Sequence, residues 1–176
     1  MSTRFDSALE ARAAEALAPH GIVRADGLLS QTFFDSNGSP FRARADFCHQ
    51  ATGMLFELKD SFLNEATSQA TANNKRRVWL GTNEHYRQIR CDWNHSASKL
   101  ATVQEGVAAT GGALVALFWN EPDAETVARL NRRGAFWLVY GSLGWRNLLA
   151  FLRLKSHGLA VTLTFGANGT PAHEFD

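Results

Sequence analysis

The chain has 176 residues, of which 45% are hydrophobic and 20% charged, and its net charge is +1. This reads as one soluble globular domain with a real core. It excludes a membrane-spanning helix, because no apolar run is long enough, and the net charge alone carries no argument for a nucleic-acid partner. Two cysteines, Cys48 and Cys91, cannot form a disulfide framework, and nothing at the start reads as a signal peptide, so a cytoplasmic location is expected.

Taken in chain order, Ser7 to Ala18 predicts a helix, with Leu9, Ala13, Ala16 and Leu17 at helical spacing and Pro19-His20-Gly21 as its stop. Residues 28–34 and 41–47 predict two strands joined by the turn chemistry of Asp35-Ser36-Asn37-Gly38-Ser39-Pro40. Residues 54–59 predict a third strand. Residues 60–92 are the least readable, with a polar stretch, a basic cluster and scattered aromatics. Ser96 to Ala109 predicts a second helix, capped by Asn94 or Ser96 and stopped by Gly111-Gly112. The apolar run 113–119 predicts a strand buried on both faces. Asp123 to Arg133 predicts a helix closed by Gly134, residues 135–140 a strand, residues 144–157 an amphipathic helix closed by Gly158, and residues 159–165 a last strand. The tail 166–176 is expected to be loose. Strands first, followed by strand–helix alternation, predict the α/β class: a mixed central β-sheet flanked by helices.

The chemistry concentrates at Arg44-Ala45-Asp46-Phe47 and Phe56-Glu57-Leu58-Lys59. Successive strand side chains face opposite sides. Glu57 and Lys59 therefore share one face, while Phe56 and Leu58 share the other, against the core. Asp46 and Glu57 on neighbouring strands would supply two carboxylates to a divalent cation, and the Leu58 carbonyl a third hard oxygen. Lys59 would orient the attacking water or steady charge on a phosphate. The alternative is an exposed edge strand on which Glu57 and Lys59 are merely solvated.

Other candidates carry weaker signals. Fourteen of the eighteen basic residues are arginines, which suits bidentate phosphate contacts. Lys75, Arg76, Arg77, Arg87 and Arg90 form a local excess against Glu84 that is either a nucleic-acid surface or a solvated basic face. Trp79, Tyr86 and Trp93 among them would stack on bases or close a core beneath a long loop. Lys99 and Gln104, on the second predicted helix, would reach a scissile phosphate or simply be solvated. Ser7-x-x-Glu10 is a capping box, so Glu10 either caps its own helix or assists at the site. Cys48, His49, Cys91 and His95 lack the spacing of a zinc finger.

The order of these pieces resembles the PD-(D/E)XK nuclease superfamily, within it the Holliday-junction resolvases and transposon end-cleaving endonucleases. The likeness rests on the Ser7–Glu10 helix, His20-Gly21-Ile22, Arg44-Ala45-Asp46-Phe47, Phe56-Glu57-Leu58-Lys59, and a following helix bearing Ser96, Ser98, Lys99 and Gln104. It spans residues 7–119 by layout and only a handful of residues by identity. Ala45 stands where the family usually has proline. The gap of about 35 residues after Lys59 marks 60–95 as a substrate-binding insertion or an unusual subfamily. The resemblance implies a restriction-endonuclease-like core. It also implies a Mg²⁺- or Mn²⁺-dependent endonuclease acting on DNA, with RNA not excluded, and with Asp46, Glu57, Lys59 and Glu10 as site residues. A nuclease-like module that binds nucleic acid or a protein without cutting is the alternative. A homodimer is also expected, through a broad apolar face carrying Trp145, Leu148, Leu149, Phe151 and Leu152, the alternative being that this whole face is core.

Overall fold

The computed structural model describes residues 8–25, 27–61, 63, 96–165 and 171–175. Helix α1 (Ala8–Leu17) buries Ala13 and Leu17 on one side and ends in a 3₁₀ turn, Ala18–His20. Gly21 closes that turn in the left-handed region, at φ 72°, and its N–H bonds the Ala18 carbonyl. Strand β1 (Ile22–Arg24) follows, then a two-stranded hairpin of β2 (Phe33–Phe34) and β3 (Pro40–Phe41). In the hairpin turn Asp35 Oδ1 accepts from the N–H groups of Asn37 and Ser39, both at 2.9 Å. Strands β4 (Phe47–His49) and β5 (Leu55–Lys59) are joined by a tight turn in which Thr52 Oγ1 lies 2.9 Å from His49 Nδ1.

Helix α2 (Ala97–Ala109) is capped by Ser96, whose Oγ accepts from the Lys99 N–H. It leads to β6 (Leu114–Phe118), buried along its whole length. Asp123 caps α3 (Ala124–Arg132) through the Thr126 N–H at 2.7 Å. After β7 (Trp137–Val139), Ser142 caps α4 (Leu143–Ser156).

The central sheet has the order β1-β4-β5-β6-β7. β1–β4 and β4–β5 pair antiparallel, whereas β5–β6 and β6–β7 pair parallel. The fold is α/β, with a mixed five-strand sheet and four helices packed against it. β5 is the strand at which antiparallel pairing gives way to parallel.

Two apolar layers cover this sheet. On one face Phe47, Phe56, Leu58, Val115 and Leu117 pack with Ala13 and Leu17 of α1 and with Trp145, Leu148 and Leu152 of α4. On the other, Leu114, Ala116 and Phe118 pack with Leu100 and Val103 of α2, Leu130 of α3, and Phe33 of the hairpin. Full burial of each such large side chain stabilises the fold by about 1.5–3 kcal/mol. Gly106 of α2 makes room for the hairpin: a Cβ there would come within 2.7 Å of the Phe33 ring.

Several expectations are corrected. The tail expected to be loose contains β9 (Pro171–Phe175), which pairs antiparallel with β8 (Val161–Phe165) and packs on α4. The strands expected over 28–34 and 41–47 are short, because only Phe33–Phe34 and Pro40–Phe41 pair as a hairpin, while Phe47 belongs to β4. The α4 stripe expected to serve a second copy is core within one chain: Trp145, Leu148, Phe151 and Leu152 are all buried and Leu149 is half-buried. No described helix is long and apolar enough to cross a membrane.

Candidate active site

Strand alternation places Glu57 and Lys59 on the α2 side of the sheet and Phe56 and Leu58 on the α1 side. Unlike an edge strand, β5 has neighbours on both sides, so Glu57 is 0% exposed and Lys59 only 6%. The Lys59 ammonium donates to Glu57 Oε1 at 2.8 Å.

Asp46 lies one residue before β4. The β4–β5 ladder runs out there: Phe47 faces Phe56, the Asp46 N–H donates to the Phe56 carbonyl, and the next amide along β5 has no strand residue to meet. That amide, the Leu58 N–H, donates to Asp46 Oδ2 at 2.7 Å instead. A residue's N–H and C=O point to the same edge of a strand, so the Leu58 carbonyl also belongs to the Asp46 side of β5.

Burial pushes the Asp46 carboxyl up to about 7, and the nearby Glu57 charge pushes it the same way. The Lys59 ammonium and the Leu58 N–H pull it back only in part. Two carboxylates and one ammonium thus share a mostly buried place.

This donor set fits a magnesium- or manganese-type ion. Such ions take oxygen ligands, and magnesium commonly uses one or two carboxylates while keeping several waters. Among the described residues no group of three or more His, Cys, Asp or Glu side chains is gathered that could hold a metal, so the candidate ligands stay at two carboxylates, Asp46 and Glu57, with the Leu58 carbonyl. Family models, curated proteins and solved structures offer no match to this chain.

The other predicted residues fall elsewhere. Gln104 is turned to the main chain. Its amide donates to the carbonyls of Leu114 (3.1 Å) and Phe136 (2.7 Å) and accepts from the Phe136 N–H (2.7 Å), clamping the starts of β6 and β7. Leu114 pairs with Leu55, four residues before Lys59, so this clamp sits at the opposite end of β5 from the cluster. Lys99 lies in the first turn of α2 with its Nζ 5.1 Å from the centre of the Phe41 ring, a cation–π contact with the hairpin. Glu10 is half-buried on α1, which covers the opposite face of the sheet from Glu57 and Lys59, and the charges that shift Asp46 are those of Glu57 and Lys59. Lys75, Arg76, Arg77, Arg87 and Arg90, with Trp79, Tyr86 and Trp93, lie outside the described residues, as do Cys91 and His95. His49 is buried beside Thr52 and Gly21, and burial holds its imidazole below the usual range. It serves the β4–β5 turn.

Two residues given no role in the sequence reading, Arg42 and Arg44, stand out in the structure. From Pro40 to Ala45 the even positions are exposed, whereas Ala43 and Ala45 are buried and Phe41 is half-buried. Arg42 and Arg44 therefore project to solvent just before the chain reaches half-buried Asp46. The alternation Arg-Ala-Arg-Ala-Asp was legible as a period of two.

Proposed function

We propose that this protein is a divalent-metal-dependent phosphodiesterase that cuts DNA, an endonuclease. The observation that carries the reading is the crowding of Asp46 and Glu57 in one mostly buried place, where burial first and the Glu57 charge second raise the Asp46 carboxyl to about 7. Lys59 neutralises one charge through Glu57 Oε1, and with both carboxyls ionised the net negative charge that remains favours a divalent cation. The resemblance to PD-(D/E)XK nucleases, with a helix before an Asp strand, a Glu-x-Lys strand and a second helix after it, supports the same reading.

Bound magnesium or manganese would supply Lewis acidity and an activated water. The chain's own part is positional and electrostatic. The Leu58 N–H fixes the orientation of the Asp46 carboxylate. Glu57 is locked by burial and by Lys59. An ammonium has three donors. Lys59 gives one to Glu57 and has others for a phosphate oxygen or the attacking water.

Calorimetric titration with magnesium or manganese should give binding to the wild type and a large loss of affinity in Asp46→Asn. Labelled branched, duplex and single-stranded DNA, with RNA counterparts, should be cleaved by the wild type with manganese and not by Asp46→Asn or Glu57→Gln. Absence of both metal binding and cleavage in the wild type would remove the reading. A second reading, a module that binds without cutting, draws on the burial of Lys59 against Glu57 and on the absence of a third metal-ligating side chain among the described residues. Binding to the same panel without cleavage at any metal concentration would favour it.

A further inference from the structure

The segment that leads into Asp46 has an organisation that the metal site does not use. It begins at the β2–β3 hairpin, whose turn is held by Asp35: its side chain accepts from Asn37 and Ser39, its N–H donates to the Ser39 carbonyl, and its carbonyl accepts from the Gly38 N–H. Phe33 and Phe41 are cross-strand partners that face α2, with ring centroids 5.7 Å apart. Phe34 and its partner Pro40 face away, and Phe34 is 59% exposed. Leu28, beside the same segment, is 61% exposed. Two of the four exposed large hydrophobic residues among those described thus flank one short stretch of chain.

The basic residues follow the same side. Pro40, Arg42 and Arg44 are exposed and alternate with inward-facing Phe41, Ala43 and Ala45, and the alternation ends at Asp46, which is half-buried beside Glu57. The stretch is held in place: the Leu29 N–H donates to the Ala43 carbonyl, and Arg42 Nη2 donates to the Leu29 carbonyl at 3.1 Å. A guanidinium has five donors in a fixed fork, so Arg42 is oriented by this bond and retains donors for an anion. At a strand-like rise the two arginines stand about 6.6 Å apart along the chain, a spacing on the scale of neighbouring phosphates on one strand. Pro40, which faces Phe34, is at most about 20 Å from Asp46.

We propose that Phe34, Arg42 and Arg44 form a substrate-positioning track for an unpaired nucleic-acid strand. Arg42 and Arg44 hold successive phosphates, and Phe34 stacks on a base about three nucleotides from the scissile bond at that spacing. The proposal rests on the phosphodiesterase reading for the position of that bond. Charge complementarity favours this occupant: two exposed guanidinium groups ending at a cation-dependent carboxylate site suit a polyanion, and an exposed aromatic ring suits a base whose face is not already stacked in a duplex.

The test compares blunt duplex DNA with duplex carrying a single-stranded tail. Steady-state cleavage is measured with manganese, and binding by fluorescence anisotropy with calcium in place of manganese. The proteins are wild type, Phe34→Ala, Phe34→Trp and the double variant R42Q/R44Q, each checked for folding by circular dichroism. Phe34→Ala should weaken binding of tailed DNA by roughly 5- to 150-fold, raising KM more than it lowers kcat and affecting tailed DNA more than blunt, and Phe34→Trp should recover most of the loss. The double variant should lower the log–log salt slope on tailed DNA by about 1.4, the value for two single-strand phosphates. Equal losses on both substrates, or an unchanged salt slope, would overturn the track while leaving the phosphodiesterase reading intact. Tailed DNA bound in a Phe34- and arginine-dependent way but never cut would remove the phosphodiesterase reading and keep the track. A wild type that neither binds nor cuts would overturn both.

Discussion

The two faces of strand β5 are equally buried and differently made. Phe56 and Leu58 meet α1, α4 and their neighbours in an all-apolar layer, whereas Glu57 and Lys59 put a carboxylate and an ammonium into the layer beneath α2. The first face contributes stability in proportion to the area it removes from water. The second removes two charges from water, and their attraction repays that cost only in part. A further polar side chain, half-buried Gln104, lies on the same side of the sheet but satisfies its donors and its acceptor with main-chain partners. Buried polarity in this protein thus takes two forms. One is closed on itself and structural; the other gathers like charges and leaves Asp46 with a carboxyl near 7.

The largest expected effect separates chemistry from folding. Asp46→Asn and Glu57→Gln should each lower metal-dependent cleavage by about 10³-fold or more, at the upper end of what loss of one electrostatic group costs. Asp46→Asn should change the thermal midpoint little, whereas Glu57→Gln, which leaves the buried Lys59 ammonium without its carboxylate, should lower it. Single-turnover assays beside thermal melts give both numbers, and near wild-type cleavage by either variant would return β5 to a purely structural role.

Next comes the Lys59–Glu57 pair. Lys59→Met should cost about 3–5 kcal/mol in urea denaturation, because it leaves a buried carboxylate uncompensated. Glu57→Leu combined with Lys59→Met should recover that loss or exceed wild-type stability by about 1–4 kcal/mol. A double variant no more stable than Lys59→Met alone would mean that the pair is a net stabiliser and the contrast between the faces is overdrawn.

Gln104→Leu should cost about 1–3 kcal/mol, since it strands main-chain groups of Leu114 and Phe136, or roughly 2–4 °C per kcal/mol for a chain of this size. Its KM and kcat should match those of the wild type. A selective loss of substrate affinity would restore Gln104 to the substrate surface.

The smallest effect, taken per unit of pH, is the pH dependence. Asp46 binds its proton more tightly in the folded chain, with a carboxyl near 7, than at its ordinary 3.8. Between those values the folded state holds more protons, so the metal-free protein should lose stability as pH rises through the window, on the order of 1 kcal/mol per pH unit. Below about 3.8 the residue makes no such difference. Metal affinity should rise over the same interval, because binding requires the carboxylate. Melts of wild type and Asp46→Asn from pH 5 to 8 measure the difference, and parallel profiles would place the proton elsewhere.

How much of this was legible in the sequence depended on the range of the signal. The four helices, with the caps at Ser96 and Asp123, were readable because spacing and capping are local. The Phe56-Glu57-Leu58-Lys59 stretch was readable because its period of two contrasts with its neighbours. β1 is only Ile22-Val23-Arg24, too short to show a period, and exists through its pairing with β4. β9 is stabilised by pairing with β8 and packing on α4. Gln104 finds its partners 10 and 32 residues away, so no pattern around it announces the clamp. The burial of Lys59 was hidden for the same reason: β5 becomes an interior strand only when β6 arrives from across the α2 crossover.

One hydrogen bond has a consequence for inheritance. Asp46 Oδ2 takes the place of a missing strand neighbour for the Leu58 amide, so position 46 answers to two separate demands. An amide oxygen serves the main chain as well as a carboxylate does, whereas an alanine leaves a buried N–H unanswered. Selection of a randomised library for folding alone should therefore retain Asp or Asn at 46 and admit apolar pairs at 57 and 59. Selection for metal binding should accept only the charged set. In a descendant of this sequence an acceptor at 46 would record an unbroken fold, and a carboxylate at 46 together with one at 57 would record that the site was still in use.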